Sequence, residues 1–188
     1  MTTVFKKLDV NAKNFFWVDG LVLVYAFYLF YAQFCEFVTT NEGAFRPDGI
    51  LDNTIPGIAT LLMFGSNIFN NMIVKSADAG NVSRMKNQFV LTIIMGLVFI
   101  GFIGYEIGYY SGINFGTDFS LFSNTYHMMV RLFYGHIAFG VIVHFISYFR
   151  LEMNEAPEKN AKLIAFSTTF WNMLTYFWLI LFVTLYLI

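Results

Sequence analysis

Seven ionisable side chains fall inside or at the edges of long apolar stretches in this sequence: Asp19, Glu36, Glu106, His127, Arg131, His136 and His144. A charge at the centre of a bilayer costs roughly 2.5–3.5 kcal/mol on insertion scales, so each asks for a partner, a route to water or a function. Three histidines in one stretch raise the question of a metal ion or a haem. Helical geometry argues against it. His127 and His136 are nine residues apart, half a turn out of phase at about 100° per residue, and the eight residues from His136 to His144 rise about 12 Å. The three cannot converge on one ion. No other apolar stretch contains histidine, and the methionines of such helices usually serve packing. Cys35 is the one cysteine, which allows neither an internal disulfide nor a cysteine-based metal cluster. The chain is therefore expected to hold no catalytic residue, cofactor or metal of its own.

The acids separate by depth. Asp19 lies about one turn into the first stretch and Glu36 near its far end, where headgroups or local water are within reach and an interfacial anchor is the plain reading. Glu106 and Arg131 lie deeper, in the outer half of the bilayer, and suit an interhelical ion pair or a contact with lipid headgroups.

The elements that must position these residues are five apolar stretches at about 16–38, 55–74, 88–110, 125–149 and 163–188. A helix rising about 1.5 Å per residue crosses a hydrocarbon layer of roughly 30 Å with about 20 residues, so each can span. Transmembrane strands would alternate apolar and polar residues, and the run 91–103 does not. With 57% hydrophobic and 12% charged residues, little remains for a soluble domain. The expected fold is all-α, one polytopic transmembrane bundle of five helices occupying residues 1–188. The first stretch is too long for the core of a secretory signal, and no small-any-small cleavage site follows it.

The basic residues give an orientation. Lys6, Lys7 and Lys13 precede the first stretch; Lys75, Arg84 and Lys86 lie between the second and third; Arg150, Lys159 and Lys162 lie between the fourth and fifth. Only Arg46 falls in the opposite loops. Retention of basic loops on the cytoplasmic side puts the N-terminus in the cytoplasm and the C-terminus outside.

The loops are short, with turn signals at Arg46-Pro47-Asp48-Gly49 and Ala79-Gly80-Asn81 and a break at Pro157. They contain no phosphate-binding glycine loop and no basic run suited to nucleic acid. Gly104 and Gly108 form a Gly-any-three-Gly pair that would let another backbone approach. Aromatic residues make up 20% of the chain, including Tyr25, Phe27, Tyr28, Phe30 and Tyr31, a surface suited to acyl chains or to a large helical partner. Trp171 and Trp178, seven residues apart and so nearly on one helical face, read as anchors for such a contact.

In combination these marks resemble subunit III of the haem-copper terminal oxidases, in the five-helix form of bacterial quinol oxidases. The resemblance runs from about Phe16 to the C-terminus. It rests on Trp171-Asn172-Met173-Leu174-Thr175, Trp178, Leu181-Phe182 and Tyr186 in the last stretch, on Gly101-Phe102-Ile103-Gly104-Tyr105-Glu106-Ile107 in the third, and on His136 with Gly140 in the fourth. Pro56 at the start of the second stretch and the turn at Asn81 agree with it. Departures mark a divergent member: Asn172 and Thr175 replace the family's His and Asp, Phe133 and Tyr134 its His and Gly, and Tyr109 a Glu. The family's buried acid in the first stretch falls on Leu23, with Asp19 one turn earlier.

The resemblance implies a noncatalytic accessory chain of a respiratory complex in the inner (plasma) membrane, packed against a subunit I that carries the haem and copper. Lipids would occupy a cleft between its first two helices and the other three, and the chain would stabilise subunit I and support proton uptake or oxygen access. The residues expected to contact lipid or a neighbouring subunit are Asp19, Glu106, Arg131, His136, Trp171 and Trp178. The departures keep open a subunit III-like chain of nitric oxide reductase, or a structural subunit of another membrane enzyme such as a metal-dependent monooxygenase. A small transporter fits less well, since no helix interior carries proline and Asp19 and Glu106 lie toward opposite faces of the membrane.

Overall fold

The computed structural model describes residues 10–40, 51–113, 115, 120–153 and 159–187. The turn expected at Arg46–Gly49 and the break at Pro157 lie outside these residues. Five helices follow one another: α1 Val10–Thr40, α2 Thr54–Asp78, α3 Val82–Gly112, α4 Leu121–Glu152 and α5 Ala161–Phe182, the last running on through a π-helical turn Val183–Leu187. All five are long and apolar enough to cross a membrane. Most exceed the apolar stretches that predict them. α1 and α3 each have 31 residues, roughly 47 Å of helix, because their first turns include polar residues, within Asn11 to Asn14 and Ser83 to Asn87, that precede the apolar stretches.

Helices α2 to α5 form the packed core, and α1 lies along the groove between α4 and α5. This corrects the expected division into the first two helices and the other three. α2 is bound into the bundle by named contacts: the indole N–H of Trp171 donates to Ser66 Oγ at 3.0 Å, that of Trp178 to Thr60 Oγ1 at 2.9 Å, and Ser76 Oγ to Gln88 Oε1 at 2.8 Å. Lipid tails are as apolar as leucine, so helices associate in a membrane through close packing and such polar contacts rather than through burial of apolar area.

The close packing centres on Trp171. A Cβ added at Gly96 would lie 2.6 Å from its ring, and one added at Gly140 3.2 Å from it. The ring occupies a slot between α3 and α4 that side chains at these two positions would fill. The Gly104 and Gly108 pair plays no such part: Gly104 meets only the Tyr134 ring at 3.5 Å, and nothing lies within 4 Å of a Cβ at Gly108.

The short connection between α2 and α3 shows how sequence closes a helix. Gly80 takes φ +68°, Gly80 N–H donates to Ala77 O, and Asn81 N–H donates to Ser76 O, the bonding of a Schellman cap that uses glycine's tolerance of positive φ. Asn81 then caps α3 by accepting from Arg84 N–H at 3.0 Å. At the start of α2, Asp52 Oδ1 accepts from the backbone N–H and the hydroxyl of Thr54 at 2.9 and 2.7 Å.

Candidate functional site

The residues singled out in the sequence fall into three polar clusters at different heights of the bundle. The first joins α1 to α4. Asp19 Oδ1 lies 3.1 Å from His136 Nε2, and the side chains are 13% and 17% exposed. α1 begins at Val10, so Asp19 is roughly two and a half turns inside it rather than one. His136 sits midway along α4. The pair is thus an interhelical contact at membrane depth, where sequence reasoning expected lipid or a subunit. The second oxygen, Asp19 Oδ2, is buried with no hydrogen-bond partner among the described residues. A hydrogen bond from Thr125 Oγ1 to Gln33 Oε1 ties the same two helices nearer their other ends. Rings of Phe15 and Phe16 on α1 pack against Phe166 and Phe170 on α5 with centroids 5.2–6.3 Å apart. Leu23, the position of the family's acid, is 4% exposed and faces a small apolar gap shared with Leu132 and Phe177.

The second cluster surrounds Glu106. Tyr186 Oη donates to Glu106 Oε1 at 2.8 Å, and Tyr126 Oη lies 3.1 Å from Tyr186 Oη. All three residues are at most 2% exposed, and Glu106 Oε2 has no hydrogen-bond partner among the described residues. Close by, Tyr110 Oη accepts from Asp52 N–H at 2.8 Å, and its ring lies edge-on to Tyr126. The ion pair suggested for Glu106 and Arg131 does not form: Arg131 is exposed on α4, whereas Glu106 points into the bundle with tyrosine hydroxyls. Glu106 consequently has no lipid contact, because its position on α3 faces α4 and the last turn of the chain.

The third cluster holds His144, Asn70 and Trp171. His144 Nε2 lies 3.0 Å from Asn70 Oδ1, and its ring packs against Trp171 and Phe89. Asn70 Nδ2 donates to Thr168 O at 3.0 Å and to Asn172 Oδ1 at 2.9 Å. Sequence reading gave Trp171 and Trp178 an outward contact. Both are at most 1% exposed and their indole N–H groups are spent inside the chain, since a buried indole must find an acceptor. Neither ring leaves surface for lipid or a partner chain. The asparagines of α2 carried no signal in the sequence reading, although three within five residues at 67, 70 and 71 could have been flagged as polar groups at mid-span.

The three histidines go to three different places. His127 Nε2 lies 2.6 Å from Phe115 O, His136 faces Asp19 and His144 faces Asn70. Among the described residues no three His, Cys, Asp or Glu side chains come together as a metal site. Each imidazole has one ring nitrogen within hydrogen-bond distance of a different neighbour. The three clusters each join one helix to another.

No family model matches the chain. Curated proteins do. It is 25% identical over 131 residues to cytochrome c oxidase subunit 3 of Alkalihalophilus pseudofirmus, covering 69% of this chain and 64% of that protein. To the probable cytochrome c oxidase subunit 3 of Mycobacterium leprae it is 28% identical over 131 residues, with the same coverage of 69% and 64%. To the wheat (Triticum aestivum) cytochrome c oxidase subunit 3 it is 25% identical over 175 residues, or 91% of this chain and 65% of the relative. The chain thus spans 64–65% of the length of these relatives. Modest identity to several oxidase subunit 3 proteins, carried on five membrane-length helices, supports a divergent member of the subunit III family.

Proposed function

We propose that this chain is a noncatalytic accessory subunit of a respiratory haem-copper oxidase in the inner (plasma) membrane, with its N-terminus cytoplasmic. It stabilises a subunit I that holds the haem and copper, keeps lipid along its flanks, and supports proton uptake or oxygen access. The observation that carries this reading is the similarity to proteins named cytochrome c oxidase subunit 3 over up to 91% of the chain. The geometry agrees with it: each of the three polar clusters joins one helix to another. The seam between α1 and the α4/α5 groove, closed by Asp19 with His136 and by phenylalanine rings, is the place where lipid would act on the fold.

The test is the visible spectrum of the complex purified through a tag on this chain. Haem bands at a stoichiometry near one complex per chain are the expected result. A stable complex without haem would sink the oxidase reading and favour a structural subunit of another membrane enzyme. Nitric oxide reduction without oxygen reduction would move the chain to a reductase.

A further inference from the structure

The polar cluster around His144 does not end in the core. Asn70 Nδ2 donates to the carbonyl of Thr168 at 3.0 Å, and because a carbonyl only accepts, the orientation of this amide is fixed. Its donation to Asn172 Oδ1 at 2.9 Å then fixes Asn172. Asn172 Nδ2 donates to Asn71 Oδ1 at 3.3 Å, and Asn71 Nδ2 donates to Asn67 Oδ1 at 2.6 Å. Four amides therefore point the same way, from the core across the α2/α5 seam to the outer surface of α2. The last of them, Asn67 Nδ2, has no partner among the described residues.

Position makes this end significant. Asn67 is midway along α2, and Asn71 is one turn further on and exposed. Neither side chain is long enough to reach headgroups from there, and acyl chains accept no hydrogen bonds, so an amide donor left at this depth is disfavoured unless protein covers it. Alignment of successive amide dipoles strengthens the terminal donor. Other surface positions of the bundle at similar depth, such as Leu97 on α3 and Ile142 on α4, are apolar and exposed at 54% and 56%, as lipid-facing residues should be.

We infer that the α2 surface around Asn67 and Asn71 is the docking face for a transmembrane helix of a partner chain that presents a hydrogen-bond acceptor, a hydroxyl, amide or carboxyl oxygen, to Asn67 Nδ2. This rests on the proposed function for the partner's identity and deepens it by assigning the face. Single-sense polarity of the amide chain selects an acceptor rather than a donor on the partner.

The experiment uses the complex in native membranes, with p-benzoylphenylalanine placed at Asn67 and, as controls, at Leu97 and Ile142. The expected result is one cross-link from position 67 to a different polytopic chain, in a segment carrying an acceptor side chain, several-fold stronger than from either control. The second arm is Asn67→Leu alone, a change on the surface of α2 that leaves in place the bonds of Asn70 to Thr168, Asn172 and His144 and that of Asn172 to Asn71 across the seam. Recovery of that partner should fall at least fivefold while the thermal midpoint of the isolated chain does not fall. Cross-links to lipid alone, to a second copy of this chain, or equally from all three positions would overturn the inference, as would unchanged recovery. Spectroscopy keeps the two readings apart. A cross-linked partner without haem preserves the docking face and sinks the oxidase function, whereas a haem-bearing complex with only lipid at position 67 does the reverse.

Discussion

Asp19 and His136 are brought to 3.1 Å, and the other ring nitrogen of His136 lies 2.7 Å from Leu132 O. A carbonyl can only accept, so Nδ1 carries a hydrogen. The contact between Nε2 and the carboxyl then needs one further proton, placed on either the ring or the acid. Either arrangement is neutral overall, which lets the pair persist at membrane depth where a lone acid would not. The bond also joins α1, the least tightly packed helix, to the rest of the bundle.

Breaking either partner should therefore loosen α1. Asp19→Ala and His136→Ala are each expected to destabilise the chain by about 1–3 kcal/mol, the usual penalty for leaving a buried polar group unpaired. The double variant should lose much less than the sum, because the two act as one contact. Thermal unfolding of the four proteins in one detergent checks this. Additive losses would show that the two residues act independently. In the complex, Asp19→Asn should begin with near-normal turnover and inactivate faster, with less co-purified lipid; equal rates and equal lipid would leave the pair a purely internal brace.

The slot for Trp171 gives a sharper prediction. Gly96→Ala sets a Cβ 2.6 Å from the ring and 2.8 Å from Val141 Cγ2, and overpacking of this kind costs about 1–3 kcal/mol. Trp171→Phe should cost stability alone, through the lost bond to Ser66 and a void, yet should relieve part of the Gly96→Ala penalty. A double variant no more stable than additivity predicts would refute the slot. Trp171→Ala and Trp178→Ala, at about 3–5 kcal/mol each, should unfold the chain itself before any loss of a partner is seen.

How much of this was legible in the sequence follows from what each signal depends on. Helix number and order came from apolar length, a property of the chain alone. Glu106 was visible as an acid at depth, but its acceptance from Tyr186, 80 positions away, depends on how α3 meets the last turn. The same holds for Asp19 with His136. The tryptophans were misplaced for an instructive reason: period and size say that two rings share a face, and only the positions of Gly96, Gly140, Ser66 and Thr60 say that the face is internal. Gly104 and Gly108 mislead in the opposite sense, since small residues permit close approach without requiring it.

The proposed orientation rests on nine of eleven basic residues falling before the first apolar stretch or in alternate gaps between stretches. In a background with Cys35 replaced, a cysteine at Ser120, which caps α4, should react with a membrane-impermeant thiol reagent only from outside. One at Ala79, exposed after α2, should react only from inside. The reverse pattern would invert the bundle.

The last prediction concerns acid. Asp52 accepts from the N–H and the hydroxyl of Thr54, and these bonds hold its carboxyl below the ordinary aspartate range. A depressed folded-state value means that its contribution is complete above the unfolded value of about 3.9 and is lost as pH falls through the lower folded value. Protection of the Thr54 amide against hydrogen exchange, corrected for the intrinsic rate, should therefore be constant from neutral pH to about 5 and decline below about 4. Asp52→Asn keeps an acceptor without a titrating proton, so its protection should be lower at neutral pH, where the carboxylate is charged, and flat across the acid range. The exposed position of Asp52 confines the effect to the first turn of α2. A parent protein whose Thr54 protection does not change between pH 5 and pH 3 would show that the carboxylate does not cap this helix.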